Sequence, residues 1–551
     1  MTLLNSPARY RRMVTSFRHP GTVLTDRFFG VPLDHQRPDG EQIEVFAREV
    51  VAAGKAGADL PWLLFLQGGP GFGAPRPEGR ESWLNRALED YRVLLLDQRG
   101  TGRSSPASRQ TLARLSPAAQ AGYLSHFRAD SIVLDAELIR RELTGEPWSV
   151  LGQSFGGMCT VTYLSFAPHG IREAFITGGL PGLTVTADDV YRHTYRTVAA
   201  KNAAHYERYP GDVGRARRIA DYLDEHEVRL PDGAPLSVAA FQAAGIMLGQ
   251  GGGSHALHYL LENAFAGDEL SDAFRYALLD QLTFADGPLY ALLHEAAYAQ
   301  GCATRWSAQR IRSEFPEFDP GATPLYFTGE MIYPWMIEAD PVLRPLREAA
   351  GILAERADWP PLYDPVRLAA NEVPVAAAVY YHDMYVDREF SIRTAQAIRG
   401  LQAWVTSEYE HDGLRVSDGA VLDRLIGMVR GNIRTFPFLM RAAFARRRRH
   451  ASSWSAGGGV CPACSPGGGS SWRPRPRRSW WPGRAARPWP WPRPPRRTSR
   501  PCPGTGGPPP RSRSPTGPRS WTSASAGSAG RCCGSRRRTA PRSGRCCPAR
   551  S

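Results

Sequence analysis

A doubly wound, mostly parallel α/β sheet carrying a helical insertion is the fold class this sequence predicts. Three observations carry it. Short apolar runs alternate with helix-period segments over residues 60–183, helical patterns with few strand signals fill 184–371, and strand-like runs return after 372. Alternation of this kind stacks helices on the faces of a parallel sheet.

The elements follow in order. Trp62–Leu66 (WLLFL) and Val93–Leu96 are continuous apolar runs bounded by turn residues, the pattern of strands buried on both faces. Asp130–Leu143 has apolar residues at helical spacing, with Asp130 read as its N-cap. Trp148–Leu151 is the next strand, and Met158–Leu164 lies in a helix beyond the turn that follows it. Within the insertion, helical spacing covers Ala187–Glu207, Val213–His226 and Leu270–Leu282. Val375–Tyr381 and Gln402–Thr406 then read as strands, and Val421–Val429 as a closing helix. The expected boundaries are 1–183 and 372–445 for the two parts of the sheet domain, 184–371 for the insertion and 446–551 for a tail.

The overall charge of +15 over 551 residues hides two unlike regions. Residues 446–551 hold 24 of the 68 basic residues, all arginine, and no acidic residue, which leaves 44 basic against 53 acidic residues before them. That tail lacks Leu, Ile, Met, Phe, Tyr, Asn and Gln, so it cannot bury enough apolar surface to offset its ordering entropy and reads as disordered. Its residue types are those of GC-rich codons, and the composition breaks abruptly near Phe444. This favours a frameshift-derived extension over an arginine-rich arm for nucleic acid. Seven of the nine cysteines also lie there, and Cys461-Pro-Ala-Cys464 has no second ligand pair at a suitable distance, so neither a metal nor a disulfide framework is expected. With no signal-peptide core near Met1 and no apolar run of about 18 residues, no membrane partner is expected and a cytoplasmic location is the default.

The stretch Val150-Leu-Gly-Gln-Ser-Phe-Gly-Gly-Met-Cys159 places Ser154 at the centre of Gly-x-Ser-x-Gly, between a strand and a helix. A nucleophilic serine there requires an oxyanion hole, a base for its proton and a group that orients the base. Gln67-Gly-Gly-Pro-Gly71 directly follows a strand, so the Gly69 amide can supply one oxyanion donor and Phe155, next to the nucleophile, the other. His411, in Glu410-His-Asp-Gly413 after the last strand, is the leading base, with His382, His294 and His258 as rivals. The acid belongs in the loop after the preceding strand, where Asp383 comes first and Asp387 is the alternative.

Gln67-Gly-Gly-Pro-Gly71, Asp97-Gln-Arg-Gly-Thr-Gly-Arg-Ser104, Gly152-Gln-Ser-Phe-Gly-Gly157 and the late Glu-His-Asp-Gly together resemble the proline iminopeptidase (prolyl aminopeptidase) family, peptidase family S33 of the α/β-hydrolases. The resemblance spans about residues 25–435, and the four motifs in this order are far more specific than any one of them. One departure is Gln67, where many members have His; this leaves the role of a backbone oxyanion donor intact. The resemblance implies a helical cap over the site, no cofactor or metal, and peptide substrates with a free N-terminus, classed by their terminal proline. An aminopeptidase must hold a positive α-amine, for which a buried carboxylate is suited. Glu330, in Phe327-Thr-Gly-Glu-Met-Ile-Tyr-Pro-Trp335, resembles a family segment of this kind, with Glu408 and Glu410 as second candidates and a solvated glutamate as the plain alternative. Arg99 and Arg103 are read as holding their loop. The competing activity is that of an esterase or amidase on a neutral substrate, because fold alone never fixes substrate. The sequence carries no signal for oligomeric state.

Overall fold

The computed structural model describes residues 14–435, Glu81 excepted. The tail expectations, disorder and nucleic-acid arm alike, fall outside the described residues. The strands are β1 (Thr15–His19), β2 (Thr22–Pro32), β3 (Gln42–Ala52), β4 (Trp62–Leu66), β5 (Arg92–Leu96), β6 (Trp148–Gln153), β7 (Ile171–Thr177), β8 (Phe265–Ala266), β9 (Glu269–Leu270), β10 (Val375–Tyr380) and β11 (Leu401–Thr406). Nine of them form one sheet in the order β1-β2-β3-β5-β4-β6-β7-β10-β11, and β8-β9 is a small hairpin within the insertion. Pairing is antiparallel from β1 through β3 to β5 and parallel everywhere beyond.

Strand pleating explains how one apolar run serves two cores. Successive side chains point to opposite faces, so Leu63 and Phe65 of β4 join Trp83, Leu88, Leu422 and Leu425 on one side. Leu64 and Leu66 join Ile132, Val133, Val161 and Leu164 on the other. The first face is covered by the helices Ser82–Asp90 and Ala420–Val429, the second by Ala129–Leu143 and Phe155–Phe166. This second core runs on without a break into the insertion, through Tyr195, Phe241 and Phe327.

The anticipated central strands and closing helix are present within a residue or two, and the insertion contains helices Ala187–Arg208, Asp212–Glu225 and Asp272–Leu282. Four strands of the sheet were not anticipated: β1, β2, β3 and β7. The N-cap assignment needs correction too. The helix begins at Ala129 with Arg128 at the N-cap, so Asp130 sits inside the first turn, where its charge complements the helix dipole. Arg128 is held there because its buried guanidinium donates to the carbonyls of Ala299 and Pro360, both at 2.9 Å. Among the described residues no helix is long and apolar enough to cross a membrane.

Candidate active site

The strand β6 ends at Gln153 and the next helix starts at Phe155, leaving Ser154 alone to make the turn. It does so at φ +55 and ψ −125, a conformation that costs a non-glycine residue about 1–3 kcal/mol and persists only where the surroundings impose it. Three backbone hydrogen bonds do so: Ser154 N donates to Thr177 O at 2.9 Å, and Ser154 O accepts from Gly157 N at 2.7 Å and from Met158 N at 3.2 Å. The glycines are required by packing. A Cβ on Gly156 would lie 1.9 Å from Leu66 O, and one on Gly152 would lie 2.3 Å from Gly156 O. The turn is thus pressed against β4 and carries its serine at the C-terminal end of an interior strand, 8 % exposed. Nearby Cys159 is fully buried, which pushes its thiol up in pKa and leaves it inert.

His411 and Asp383 arrive from the loops after β11 and β10. His411 Nδ1 stands 2.7 Å from Asp383 Oδ2, while Asp383 Oδ1 accepts from the Tyr385 and Val386 amides at 2.8 and 3.0 Å. The carboxylate is therefore locked in orientation, and the Tyr385 ring meets the imidazole edge-on at 4.8 Å. Burial pulls the His411 pKa down, but the adjacent Asp383 charge and hydrogen bond overcome it, and the net shift is upward. Asp387 is engaged elsewhere. It caps the helix Arg388–Ala397 by accepting from Phe390 N at 3.0 Å, and it lies 3.3 Å from His193. Of the rival histidines, His382 is exposed, His258 is paired with Asp212 at 2.9 Å, and His294 is buried between Tyr290 and Tyr298.

The 67–71 loop passes directly over the serine. A Cβ on Gly68 would meet Ser154 Cβ at 2.9 Å, so this glycine is the condition for the approach. The loop is secured by the neighbouring Asp97-Gln-Arg segment: Gln98 Nε2 donates to Gln67 O at 2.9 Å, and Asp97 accepts from the Ala74 and Arg103 amides at 2.8 Å each. Arg99 is wholly buried, paired with Asp135 at 2.7 and 2.6 Å, and donates to the carbonyls of Pro32, Leu33 and His126. Arg103 contacts Asp26. Both arginines are structural, and neither lines the cavity described next.

A cavity of about 380 Å³ is lined by Gly69, Ser154 and His411 from the sheet side, and by Tyr290, Glu330 and Trp335 from the insertion. Of the three candidate glutamates only Glu330 faces it; its Oε1 accepts from Tyr290 Oη at 2.8 Å. Glu408 is exposed, and Glu410 pairs with Lys201 at 2.5 Å, so the structure brings neither to the cavity. Sequence reasoning missed Tyr290 and Arg415, both cavity-lining. Neither carries a local motif that could have marked it. Among the described residues no group of three or more His, Cys, Asp or Glu is arranged to hold a metal ion.

A family profile described as the alpha/beta hydrolase fold matches residues 61–266. The chain is 52% identical over 413 residues to a proline iminopeptidase of Aeromonas sobria, covering 74% of this chain and 97% of that one. It is 37% identical over 437 residues to a proline iminopeptidase of Aspergillus aculeatus, covering 76% and 96%. Among solved structures, a proline iminopeptidase-related protein from Thermus thermophilus aligns at 15% identity and a TM-score of 0.31, over 72% of this chain and 95% of that one.

Proposed function

The chain belongs to the proline iminopeptidase family of α/β-hydrolases, and on that premise we propose that it is a prolyl aminopeptidase whose nucleophile is Ser154. The observation that carries the reading is the His411–Asp383 pair at 2.7 Å, with His411 lining the same cavity as Ser154 and Glu330.

Each residue then has a chemical task. Asp383 accepts from Nδ1–H of His411, which leaves Nε2 as the basic nitrogen. His411 takes the Ser154 proton as Oγ attacks the carbonyl of the N-terminal residue, and returns it to the departing amine. The amides of Gly69 and Phe155 donate to the oxyanion; Phe155 N belongs to the first helical residue, whose amide has no intrahelical partner. Water, activated by the same histidine, then hydrolyses the acyl-enzyme. Glu330, held by Tyr290, binds the substrate's α-ammonium by a charge-assisted hydrogen bond, and the Trp335 and Tyr290 rings border a space suited to the proline ring. In this reading the helical segment 184–371 acts as the cap that selects substrate. A cytoplasmic location is part of the proposal, and cell fractionation tests it.

The experiment is a comparison of prolyl aryl-amide with its N-acetylated form. A prolyl aminopeptidase hydrolyses the first and rejects the second, which lacks the charged amine. Equal turnover of both would replace this reading with an amidase or esterase acting on neutral substrates.

A further inference from the structure

The cavity is electrostatically lopsided. Among the described residues, five that line it are acidic, Asp232, Asp280, Asp286, Glu330 and Asp340, and all come from the insertion, whereas Arg415 is the single Lys or Arg of that lining. Arg415 stands four residues beyond His411, in the short helix Gly413–Val416 on the sheet side. Its backbone is tied at both ends of the residue: Arg415 N donates to Asp412 O at 2.8 Å, and Arg415 O accepts from Ser82 Oγ at 2.6 Å. Its guanidinium is exposed and, among the described residues, has no carboxylate partner, although its charge reaches His411 and Tyr385. Most arginines of the sheet domain do have one, as Arg48, Arg92, Arg99, Arg140 and Arg430 illustrate.

The direction of a bound substrate follows from the proposed reaction, on which this inference rests. The α-ammonium goes to Glu330 and the scissile carbonyl to Ser154. The leaving nitrogen must then face His411, which protonates it, so the leaving residue extends along the wall that holds Arg415. We propose that Arg415 recognises the α-carboxylate of a one-residue leaving group, which makes zwitterionic prolyl dipeptides the preferred substrate class. A guanidinium matches a carboxylate bidentately and stays charged throughout the working pH range. The acidic walls disfavour a carboxylate anywhere else in the cavity, so a single cation suffices to fix its place.

The test is the ratio of kcat/KM for prolyl-alanine to that for prolyl-alanine amide, measured separately in the unaltered chain, Arg415→Gln and Arg415→Lys. Any general effect of a substitution on catalysis cancels within such a ratio. A charge-assisted contact at an exposed position is worth about two- to fivefold, so the unaltered chain is expected to favour the free acid by about that factor, shrinking as salt is added. Arg415→Gln should bring the ratio to one or below, and Arg415→Lys should restore part of it. A ratio near one in the unaltered chain, or the same ratio in Arg415→Gln, overturns the inference. Prolyl aryl-amide serves as the reference: if it is cleaved while the ratios are flat, only the carboxylate site falls. If it is not cleaved at all, the aminopeptidase reading falls with it.

Discussion

Replacing Asp383 by Asn separates the two aspartates of the 380–387 loop. In the native site Oδ1 accepts from two backbone amides at 2.8 and 3.0 Å, and Oδ2 faces His411 Nδ1 at 2.7 Å. An asparagine keeps the two amides by placing its oxygen there, which turns its NH2 group toward Nδ1. Two donors cannot share that contact, so the imidazole switches tautomer and carries its proton on Nε2, where it can no longer accept one from Ser154. The loss expected from a wrong tautomer in such a triad is about 10³–10⁴-fold in kcat, roughly 4–5 kcal/mol of barrier. Asp387→Asn is the internal control. Asn caps a helix about as well as Asp, so the bond to Phe390 N survives and kcat should change less than about threefold. The assay is steady-state release of arylamine from prolyl aryl-amide, with thermal unfolding midpoints recorded for each variant. Asp383→Asn retaining more than about a tenth of kcat, or a folded Asp387→Asn losing as much as Asp383→Asn, would refute the assignment.

The remaining predictions concern pH, the amine site and the turn. His411 must be neutral to accept a proton, and Asp383 raises its pKa despite burial, so kcat/KM should fall as pH drops through a midpoint above the ordinary histidine value of about 6.5. Residual activity of Asp383→Asn should show that limb moved to lower pH, because the charge that raised it is gone. Glu330→Gln keeps a hydrogen-bond acceptor for Tyr290 but loses the charge, so kcat/KM for prolyl aryl-amide, measured by steady-state kinetics, should fall by about 10²-fold. Gly156→Ala drives a methyl to within 1.9 Å of Leu66 O and should yield insoluble or unfolded protein. Gly214→Ala, in the helix Asp212–Glu225 with nothing within 4 Å of the added Cβ, should instead stabilise by about 0.5–1 kcal/mol in chemical denaturation.

How far the sequence could be read depended on whether a segment's signal was local. The central strands β4, β5, β6 and β10 are legible because burial on both faces makes them continuous apolar runs. The strands β2 and β3 were missed because charges interrupt them, and those charges make sense only across the pair: Asp26 with Arg48 at 2.8 Å, and Glu49 with Arg27 at 2.5 Å. Likewise β7 contains Arg172 and Glu173, the latter buried and accepting from Ser149 and Tyr91 on neighbouring elements. Ser154 and His411 stand in motifs of a fixed order along the chain, whereas the acid was legible only as a loop position, Asp383 or Asp387. The cavity wall was not legible in this way. Tyr290 lies 40 residues from Glu330, to which it donates, Arg415 has no motif of its own, and the fold brings both to the cavity that Ser154 lines. The same holds for Asp135, the buried partner that makes Arg99 structural.

Ser154→Ala bears most directly on the central claim, because the alanine leaves the strained turn and its three backbone hydrogen bonds in place while removing only Oγ. The measurement is initial-rate hydrolysis of prolyl aryl-amide by the full-length chain and by this variant, both shown to be folded by circular dichroism. The account predicts rapid release by the first and a loss of about 10⁵–10⁶-fold by the second. Hydrolysis retained by a folded Ser154→Ala protein would contradict it.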